Sequence, residues 1–290
     1  MQKIALQALP TLSLHDVRTE ILRLDQIHPI VSGNKWFKLK YYLRDAQDQG
    51  CKIIVTCGGA YSNHLVATAY AASAAGLKSI GYVRGGEPAH FSPTLLDAQS
   101  FGMELRFVSR EQYRDKNALA EADSAQYWIG EGGYGLKGAA GAAEIPGLVS
   151  KESYSHILCA VGTGTMMAGL IKAAGAGQQI VGISVLKNHG VLEQEVKALL
   201  DPDESGRSFE ILHDYHFGGY AKHPPALLQF MKELWKAESL PTDIVYTSKL
   251  LFAAQDLVNK KHFPAGSRLL LIHSGGLQGN RSLPAQALPF

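Results

Sequence analysis

Short apolar segments rich in β-branched residues alternate with helical patterns along most of this chain of 290 residues. The predicted strands are Lys52–Thr56, Ser79–Arg84, Glu104–Val108, Tyr127–Gly130, His156–Val161, Ile180–Val185, Glu210–Asp214, Asp243–Tyr246 and Arg268–His273. The helical patterns between most of them include His64–Ala75, Thr94–Ser100, Thr165–Ala174, Val191–Leu200, Pro225–Glu238 and Lys249–Lys260. Strands that alternate with helices form parallel βαβ units with right-handed crossovers, so the sequence predicts an α/β fold.

Three segments depart from this alternation. Residues 1–30 contain Pro10 and Pro29 and only short apolar pieces, which predicts a wrapping arm with one or two edge strands. The glycine-rich residues 130–141 are the predicted junction between two lobes, because a chain of this length usually forms more than one lobe or domain. The charged and turn-forming residues 201–208 predict a solvated loop.

Charge and cysteine content exclude several functions. The formal net charge is +2, from 28 basic and 26 acidic residues that are interspersed, so nucleic acid is not expected as a partner. Cys51, Cys57 and Cys159 have no CxxC spacing and lie in or beside apolar runs, which predicts reduced, buried thiols and no metal site. The N-terminus lacks a secretory signal and no apolar stretch is long enough to span a bilayer, so we expect a soluble cytoplasmic protein.

The segment Val31–Lys40 is the first with a chemical implication. Gly33 and Asn34 form a predicted turn, and an amphipathic run follows that ends at Gly50. Asn34 is therefore the expected N-cap, and Lys35 lies in the first helical turn. The helix dipole opposes a cation at this end, which can lower the lysine pKa and leave a neutral amine able to condense with an aldehyde. Taken alone, Lys35 is more simply interpreted as an ordinary solvated lysine.

Two glycine-containing loops follow predicted strands, where ligands bind in parallel sheets. The first loop, residues 57–64, places the Ser62 hydroxyl and the Asn63 amide at a helix N-terminus, which suits a carboxylate ligand. Helix capping without a ligand explains these two residues equally well. The second loop contains the turn Gly162–Thr165, whose backbone N–H groups and threonine hydroxyls suit a phosphate. It matches neither a Walker loop nor G-x-G-x-x-G.

Two further predicted strands, near the C-terminus, end in hydroxyl residues, at 245–248 and 272–276. Capping or turn formation is the simpler explanation of these hydroxyls. Together, however, the loops supply an amine, a carboxylate cradle, a phosphate cup and neutral hydrogen-bond partners for a ring. Pyridoxal phosphate requires this set, because it needs a Schiff-base lysine and contacts to its phosphate and its pyridine ring.

The motifs, in their order from about Val31 to Gly276, resemble those of the fold-type II (tryptophan-synthase-β-like) pyridoxal-phosphate enzymes. Within that group they resemble the 1-aminocyclopropane-1-carboxylate deaminase/D-cysteine desulfhydrase family. Ser-Gly-Asn-Lys-Trp-Phe-Lys-Leu is similar to the family's G-G-N-K-x-x-K-L, and Gly-Gly-Ala-Tyr-Ser-Asn-His is similar to its G-G-x-x-S-N-H/Q. The resemblance implies two-lobed open parallel sheets, with residues 1–46 and 136–290 as a large cofactor domain and residues 47–135 as an inserted small domain. It also implies a homodimer.

The resemblance further implies a set of site residues. Lys35 would be the Schiff-base lysine, and two active-site tyrosines of the family match Tyr220 and Tyr246. The implied catalytic residues are Lys35, Ser62, Tyr246 and Tyr220; the cofactor-binding residues are Lys35, Asn63, Gly162, Thr163, Gly164, Thr165, Thr247 and Ser274; and the substrate-binding residues are Ser62, Asn63 and His64.

Two of these positions indicate the reaction. Thr247 and Ser274 stand where cyclopropane deaminases carry glutamate and leucine, and they resemble the desulfhydrase branch. A neutral hydroxyl near the pyridine nitrogen leaves that nitrogen less protonated than a carboxylate would, which suits simple elimination. We therefore expect elimination of the D-cysteine desulfhydrase type, giving pyruvate, ammonia and sulfide. Five residues depart from the family pattern and leave the substrate open: Trp36, Phe37, Tyr61, Val66 and Thr165.

Several alternatives remain open at this level. A cyclopropane deaminase, a dehydratase of the D-serine type or a lyase of another β-substituted amino acid would use the same cofactor. A further alternative is a relative of this family that keeps the cofactor but has lost its activity. A nucleotide-binding or regulatory module that holds NAD is more remote, because the acidic partner for a ribose is lacking.

Overall fold

A computed structural model describes residues 4–116, 118–120, 125–204 and 206–290 of the chain. Within these residues the strands are β1 Leu6–Ala8, β2 Arg18–Leu22, β3 Ile53–Gly58, β4 Lys78–Arg84, β5 Met103–Val108, β6 Gln126–Trp128, β7 His156–Val161, β8 Gln179–Ser184, β9 Phe209–Leu212 and β10 Arg268–Ile272. The α-helices are α1 Asn34–Asp48, α2 Asn63–Ala74, α3 Pro93–Ser100, α4 Leu136–Ala142, α5 Thr165–Ala173, α6 Leu192–Lys197, α7 Pro225–Glu238 and α8 Thr247–Asn259.

Two open sheets organise these elements. The larger sheet has six strands in the order β1-β2-β10-β7-β8-β9, and the smaller has four in the order β5-β4-β3-β6. β1 is antiparallel to β2, and the other neighbouring strands are parallel. The predicted α/β class with open parallel sheets is therefore confirmed. The domain boundaries at 46/47 and 135/136 remain a prediction, which would assign one sheet to each domain.

The six-stranded sheet is buried on both faces. In β7, Ile157 and Cys159 pack in an apolar cluster with residues of α4 and α5, whereas Leu158 packs in a cluster with residues of α7 and α8. Successive strand residues point to opposite faces, so this alternation places helices on both sides of the sheet. β7 and β10 are parallel neighbours, so their carboxyl ends lie at the same edge of the sheet, where ligands bind in such folds.

The prediction of a strand at Asp243–Tyr246 is wrong, because this segment forms no strand. The Asp243 carboxylate accepts hydrogen bonds from the backbone N–H groups of Val245 (2.8 Å), Tyr246 (2.9 Å) and Thr247 (2.8 Å). These bonds turn the chain directly into α8 and occupy the donors that a strand would present to its neighbour.

The N-terminal arm and the start of α1 also differ in part from expectation. β1 is an edge strand, as expected, but β2 lies between β1 and β10. Its Ile21 and Leu22 are fully buried. Gly33, and not Asn34, occupies the N-cap of α1, with φ of 65°. A Cβ at Gly33 would lie 1.8 Å from the Ser274 carbonyl oxygen, so only glycine fits. Lys35 lies in the first turn of α1, as predicted.

Other predicted boundaries are close to the observed ones. α6 ends at Lys197 instead of residue 200, and β9 ends at Leu212 instead of residue 214. Residues 201–204 and 206–208 form no helix or strand, in agreement with the predicted loop, while Ser205 lies outside the described residues. Cys51, Cys57 and Cys159 are buried thiols that form no disulfide among the described residues, as expected. Among the residues that the structure describes, no helix is long and apolar enough to cross a membrane.

Candidate active site

A cleft lies where β7 and β10 end and where α1, α2, α5 and α8 begin. Its wall consists of residues from these ends and from the loops beside them: Ile30, Ser32, Asn34, Lys35, Lys38, Asn63, Ala67, Gly132, Ala160, Val161, Gly162, Thr163, Gly164, Thr165, Met166, Met167, Tyr246, Ser274, Gly275, Gly276 and Gln278. Most of the residues predicted from the sequence therefore share one cavity. Ser62, His64, Tyr220 and Thr247 do not belong to this lining.

Lys35 occupies the start of α1 in this cleft. Its Nζ donates a hydrogen bond to Asn34 Oδ1 (2.9 Å), and the Asn34 backbone N–H donates to the Ser274 carbonyl (3.2 Å). Burial lowers the pKa of Lys35 to about 8, although the Asp243 carboxylate opposes the shift. The direction matches the expectation from the sequence, and burial is its main cause.

Lys38 is a second cleft lysine, and sequence reasoning assigned it no role. It lies three residues after Lys35, which places both side chains on one face of α1. Its Nζ donates to the Gly132 carbonyl (3.3 Å), and the side chain is buried. Burial and the charge of Lys35 lower the pKa of Lys38 well below its ordinary value. The signal for it was present as the second lysine of the Asn-Lys-Trp-Phe-Lys motif.

The turn Gly162–Thr165 connects β7 to α5. Gly164 adopts φ of 76° at the N-cap, where a Cβ would come within 2.7 Å of Val196 Cγ2. The Thr163 and Thr165 hydroxyl oxygens lie 3.2 Å apart. Gly132 packs against this turn, since a Cβ there would lie 3.1 Å from Thr163 Cγ2. Lys38, whose Nζ donates to the Gly132 carbonyl, therefore lines the same cleft as the threonine hydroxyls and the open N-terminus of α5.

Residues 62–64 begin α2 on the opposite wall. Ser62 is the N-cap, and its hydroxyl accepts a hydrogen bond from the Leu65 N–H (3.4 Å). Asn63 Nδ2 donates to the Gly276 carbonyl (3.3 Å), while Asn63 Oδ1 is buried and has no hydrogen-bond partner among the described residues. Such an orphaned atom in a polar cleft indicates a missing ligand group.

His64 points away from the cleft. Its Nε2 lies 2.8 Å from the Thr56 hydroxyl, which itself donates to the Ile129 carbonyl, so His64 is the donor of this pair. Burial and the charges of Lys35 and Lys38 keep the pKa of His64 well below its ordinary value. His64 is therefore neutral with its Nε2 engaged by Thr56, and its contact with substrate stays a prediction.

Tyr246 and Ser274 line the cleft near the ends of the six-stranded sheet. The Tyr246 ring lies 3.3 Å from where a Cβ of Gly162 would be, and burial and the neighbouring Tyr220 raise its pKa well above the ordinary value. The Tyr220 ring is 6.2 Å from that of Tyr246 at an angle of 78°. Thr247 is fully buried, and its hydroxyl donates to Asp243 Oδ1 (2.6 Å) instead of facing the cleft.

Asp243 is the other residue that sequence reasoning missed. It is fully buried, and its two carboxylate oxygens accept four hydrogen bonds from residues 245–247. Because residues 243–246 were predicted to form a strand, Asp243 was assigned no role in starting a helix. An Asp that precedes an amphipathic helical pattern was the available signal, because Asp is a preferred residue at helix starts.

Comparisons with known proteins show the family to which the chain belongs. A family model described as "Pyridoxal-phosphate dependent enzyme" matches residues 3–275. A putative 1-aminocyclopropane-1-carboxylate deaminase of Thermotoga maritima is 32% identical, over 89% of this chain and 88% of its own. A D-cysteine desulfhydrase of Salmonella paratyphi A is 27% identical, over 93% of this chain and 90% of its own. A crystal structure of an ACC deaminase homologue superposes with a TM-score of 0.83 at 28% identity, covering 97% of this chain and 91% of that one.

Proposed function

This chain belongs to the pyridoxal-phosphate dependent enzymes, within the 1-aminocyclopropane-1-carboxylate deaminase/D-cysteine desulfhydrase family, and we propose that it removes the β-substituent of a small amino acid. The proposed preferred substrate is D-cysteine, with pyruvate, ammonia and sulfide as products. The observation that carries this proposal is the Lys35 amine, which has a lowered pKa and shares a cleft with the Gly162–Thr165 turn.

The cleft fits pyridoxal phosphate. The threonine hydroxyls and the first N–H groups of α5 offer donors for the phosphate, and the Lys38 ammonium adds positive charge beside them. The unpaired Asn63 Oδ1 offers an acceptor for a polar group of the cofactor or substrate. When bound, the cofactor supplies an aldehyde for amines and a ring that accepts the electron pair left at the substrate Cα.

Three side chains have proposed roles in moving protons or binding substrate. Lys35 is the proposed base, because with a pKa of about 8 it can be neutral near that pH and accept the Cα proton. Tyr246 is the proposed acid, because it lines the cleft and its hydroxyl, whose pKa is raised, carries a proton at neutral pH. Ser62 is the proposed partner of the substrate carboxylate, since the N-terminus of α2 attracts negative charge.

The polarity of the lining favours elimination over ring opening. Among the cleft residues that the structure describes, none is Asp or Glu, and Ser274 contributes a neutral hydroxyl. Asp243 lies one layer behind, and its oxygens are engaged by backbone N–H groups and by Thr247. The ring nitrogen of the cofactor would therefore lack a carboxylate partner, which is the condition expected for a weaker electron sink.

The five departures from the family pattern affect the cleft unequally. Thr165 lines it and adds a hydroxyl to the phosphate cup. Phe37 and Val66 are each 2% exposed and pack in apolar clusters, and the Trp36 ring stacks on His28 at 5.4 Å. Tyr61 is 44% exposed on the loop before α2. These placements support retention of the cofactor site.

An amino-acid panel tests the proposal. We expect the purified protein to be yellow, to bleach with borohydride, and to release pyruvate, ammonia and sulfide fastest from D-cysteine among D- and L-cysteine, D-serine and 1-aminocyclopropane-1-carboxylate. Lys35→Ala should lose both the chromophore and turnover. The matched control is Lys40→Ala on the same helix, which removes exposed contacts with Glu144 and with the Tyr41 ring. Pyruvate formation by Lys35→Ala at the parental rate would contradict the role of Lys35.

The assembly and location belong to the same proposal. We propose a cytoplasmic homodimer, because the family resemblance implies a dimer and the buried thiols Cys57 and Cys159 suit a reducing compartment. Light scattering of the purified protein gives the mass of the assembly, and a mass near 31.4 kDa, that of one chain, would contradict the dimer.

A further inference from the structure

Lys249 is a fully buried lysine outside the cleft lining. It lies in the first turn of α8, three residues after Tyr246, so both side chains leave the same side of the helix. Burial lowers the pKa of Lys249 to about 8, and the Asp243 carboxylate opposes the shift. A lysine is rarely buried completely unless its ammonium has a specific partner. Here Nζ donates to the Gly219 carbonyl at 2.7 Å.

The partner of Lys249 belongs to a loop with unusual backbone conformation. Phe217, Gly218, Gly219 and Ala221 all have positive φ, of 53°, 93°, 120° and 55°. Phe217 and Ala221 occupy a region that residues with a Cβ rarely adopt, so the surrounding structure must hold this loop. α8 provides two such contacts, since the Phe217 ring packs on Phe252 at 4.8 Å and Lys249 holds the Gly219 carbonyl.

Tyr220 is the residue that this loop presents. Its ring lies 6.2 Å from the Tyr246 ring in an edge-on arrangement and its hydroxyl interacts with that of Tyr246, yet the residue is 46% exposed and few groups hold its backbone. The bond from Lys249 reaches the carbonyl directly before Tyr220. One helix turn therefore carries Tyr246 and also the group that fixes the backbone of Tyr220.

We propose that Lys249 is a positioning residue whose ammonium holds the Gly219 carbonyl and thereby places Tyr220 against Tyr246 at the cleft. Its kinetic consequence rests on the proposed function, in which Tyr246 donates a proton. Its structural consequence does not, because the loop is held in the absence of substrate.

Hydrogen–deuterium exchange of residues 216–222 gives the structural test. The Gly219 carbonyl also accepts from the Lys222 N–H (3.1 Å), and the Gly219 N–H donates to the His216 carbonyl (3.0 Å). Lys249→Met should accelerate exchange of these two amides at least roughly tenfold in the holoenzyme, because their conformation loses its anchor. The control is Leu257→Ala, a buried residue later in α8, which should lower Tm and leave exchange of 216–222 at the parental rate under native conditions.

A double-mutant cycle gives the kinetic test. Lys249→Met should lower kcat about tenfold to a hundredfold with little change in KM, because a misplaced group costs rate more than binding. Adding Tyr220→Phe to it should cause little further loss, since both changes remove the same contribution. If Lys249→Met does not fold, Lys249→Gln, which keeps a donor, undergoes the same measurements with smaller expected effects.

The outcomes separate this proposal from the proposed function. Unchanged exchange of the loop, or independent additive losses of kcat, overturn the positioning role of Lys249. If no amino acid of the panel is turned over, the proposed function fails, and the exchange measurement alone still decides whether Lys249 holds the loop.

Discussion

Helices α1 and α8 both begin at the cleft, but their first turns are held in different ways. The start of α1 has no side-chain cap; Gly33 packs on the Ser274 carbonyl, and the polar groups of Asn34 and Lys35 stay inside the cleft. The start of α8 is closed by Asp243, which accepts four hydrogen bonds. The first helix start thus leaves its polar groups available for ligand chemistry, and the second uses them to fix Tyr246.

The largest effect that this comparison predicts is on stability at the start of α8. Asp243→Ala should lower the free energy of unfolding by roughly 3–5 kcal/mol, because each buried donor left without an acceptor costs about 1–3 kcal/mol. Urea unfolding followed by circular dichroism measures the change. Asp243→Asn keeps one acceptor oxygen and should lose less. A loss below about 1 kcal/mol for Asp243→Ala, the size of an ordinary cap, would remove the contrast between the two helix starts.

The start of α1 should instead respond to pH. In protein stripped of cofactor, Lys35 must be neutral to condense with an aldehyde, and its lowered pKa is about 8. The rate of pyridoxal phosphate uptake should therefore rise about tenfold per pH unit below pH 8 and level off above it, since the neutral fraction of the amine rises in that proportion. Stopped-flow absorbance between pH 6 and about pH 10.5 measures this. A rise that continues to pH 10 would place the pKa at its ordinary value and contradict the effect of burial.

Lys38 tests whether the cleft side of α1 serves the ligand or the fold. Lys38→Met should weaken pyridoxal phosphate binding about tenfold to a hundredfold, because a charge-assisted contact to phosphate is worth about 1.5–3 kcal/mol. The unfolding free energy of the cofactor-free protein should stay the same or rise, since a buried charge is removed. Equilibrium dialysis measures the affinity, and pyridoxal without its phosphate is the control ligand, whose binding should be unaffected.

The two helix starts also show which structural features a local sequence pattern can predict and which it cannot. Lys35 and the Gly162–Thr165 turn were predicted because a glycine followed by a helical period is a local signal. Ile244, Val245 and Tyr246 form a short apolar run that is indistinguishable from a buried strand. Asn280, 36 residues away, accepts from the Ile244 N–H (3.1 Å) and donates to the Thr242 carbonyl (2.8 Å), so a side chain replaces the neighbouring strand. That pairing, like the burial of Lys38 and Lys249, depends on tertiary contacts and has no local pattern.

The smallest predicted effect concerns α2. Its start is capped by a side chain, as at α8, and also lies beside the cleft, as at α1. Ser62 caps the helix through Leu65 and is also the proposed partner of the substrate carboxylate. Ser62→Ala should lower the unfolding free energy by about 1 kcal/mol, the usual value for an N-cap. It should also raise KM for D-cysteine more than it lowers kcat, because Ser62 is proposed to bind the carboxylate. The rise should be limited, because the helix N–H groups that remain still attract the carboxylate. Ser92→Ala at the start of α3 is the comparison variant: its hydroxyl accepts from the Leu95 N–H and also donates to the Ala60 carbonyl, and its neighbour Pro93, unlike Asn63 beside Ser62, is not part of the cleft lining. It should lose at least as much stability without a change in KM. An equal KM for both variants would assign Ser62 to the fold alone.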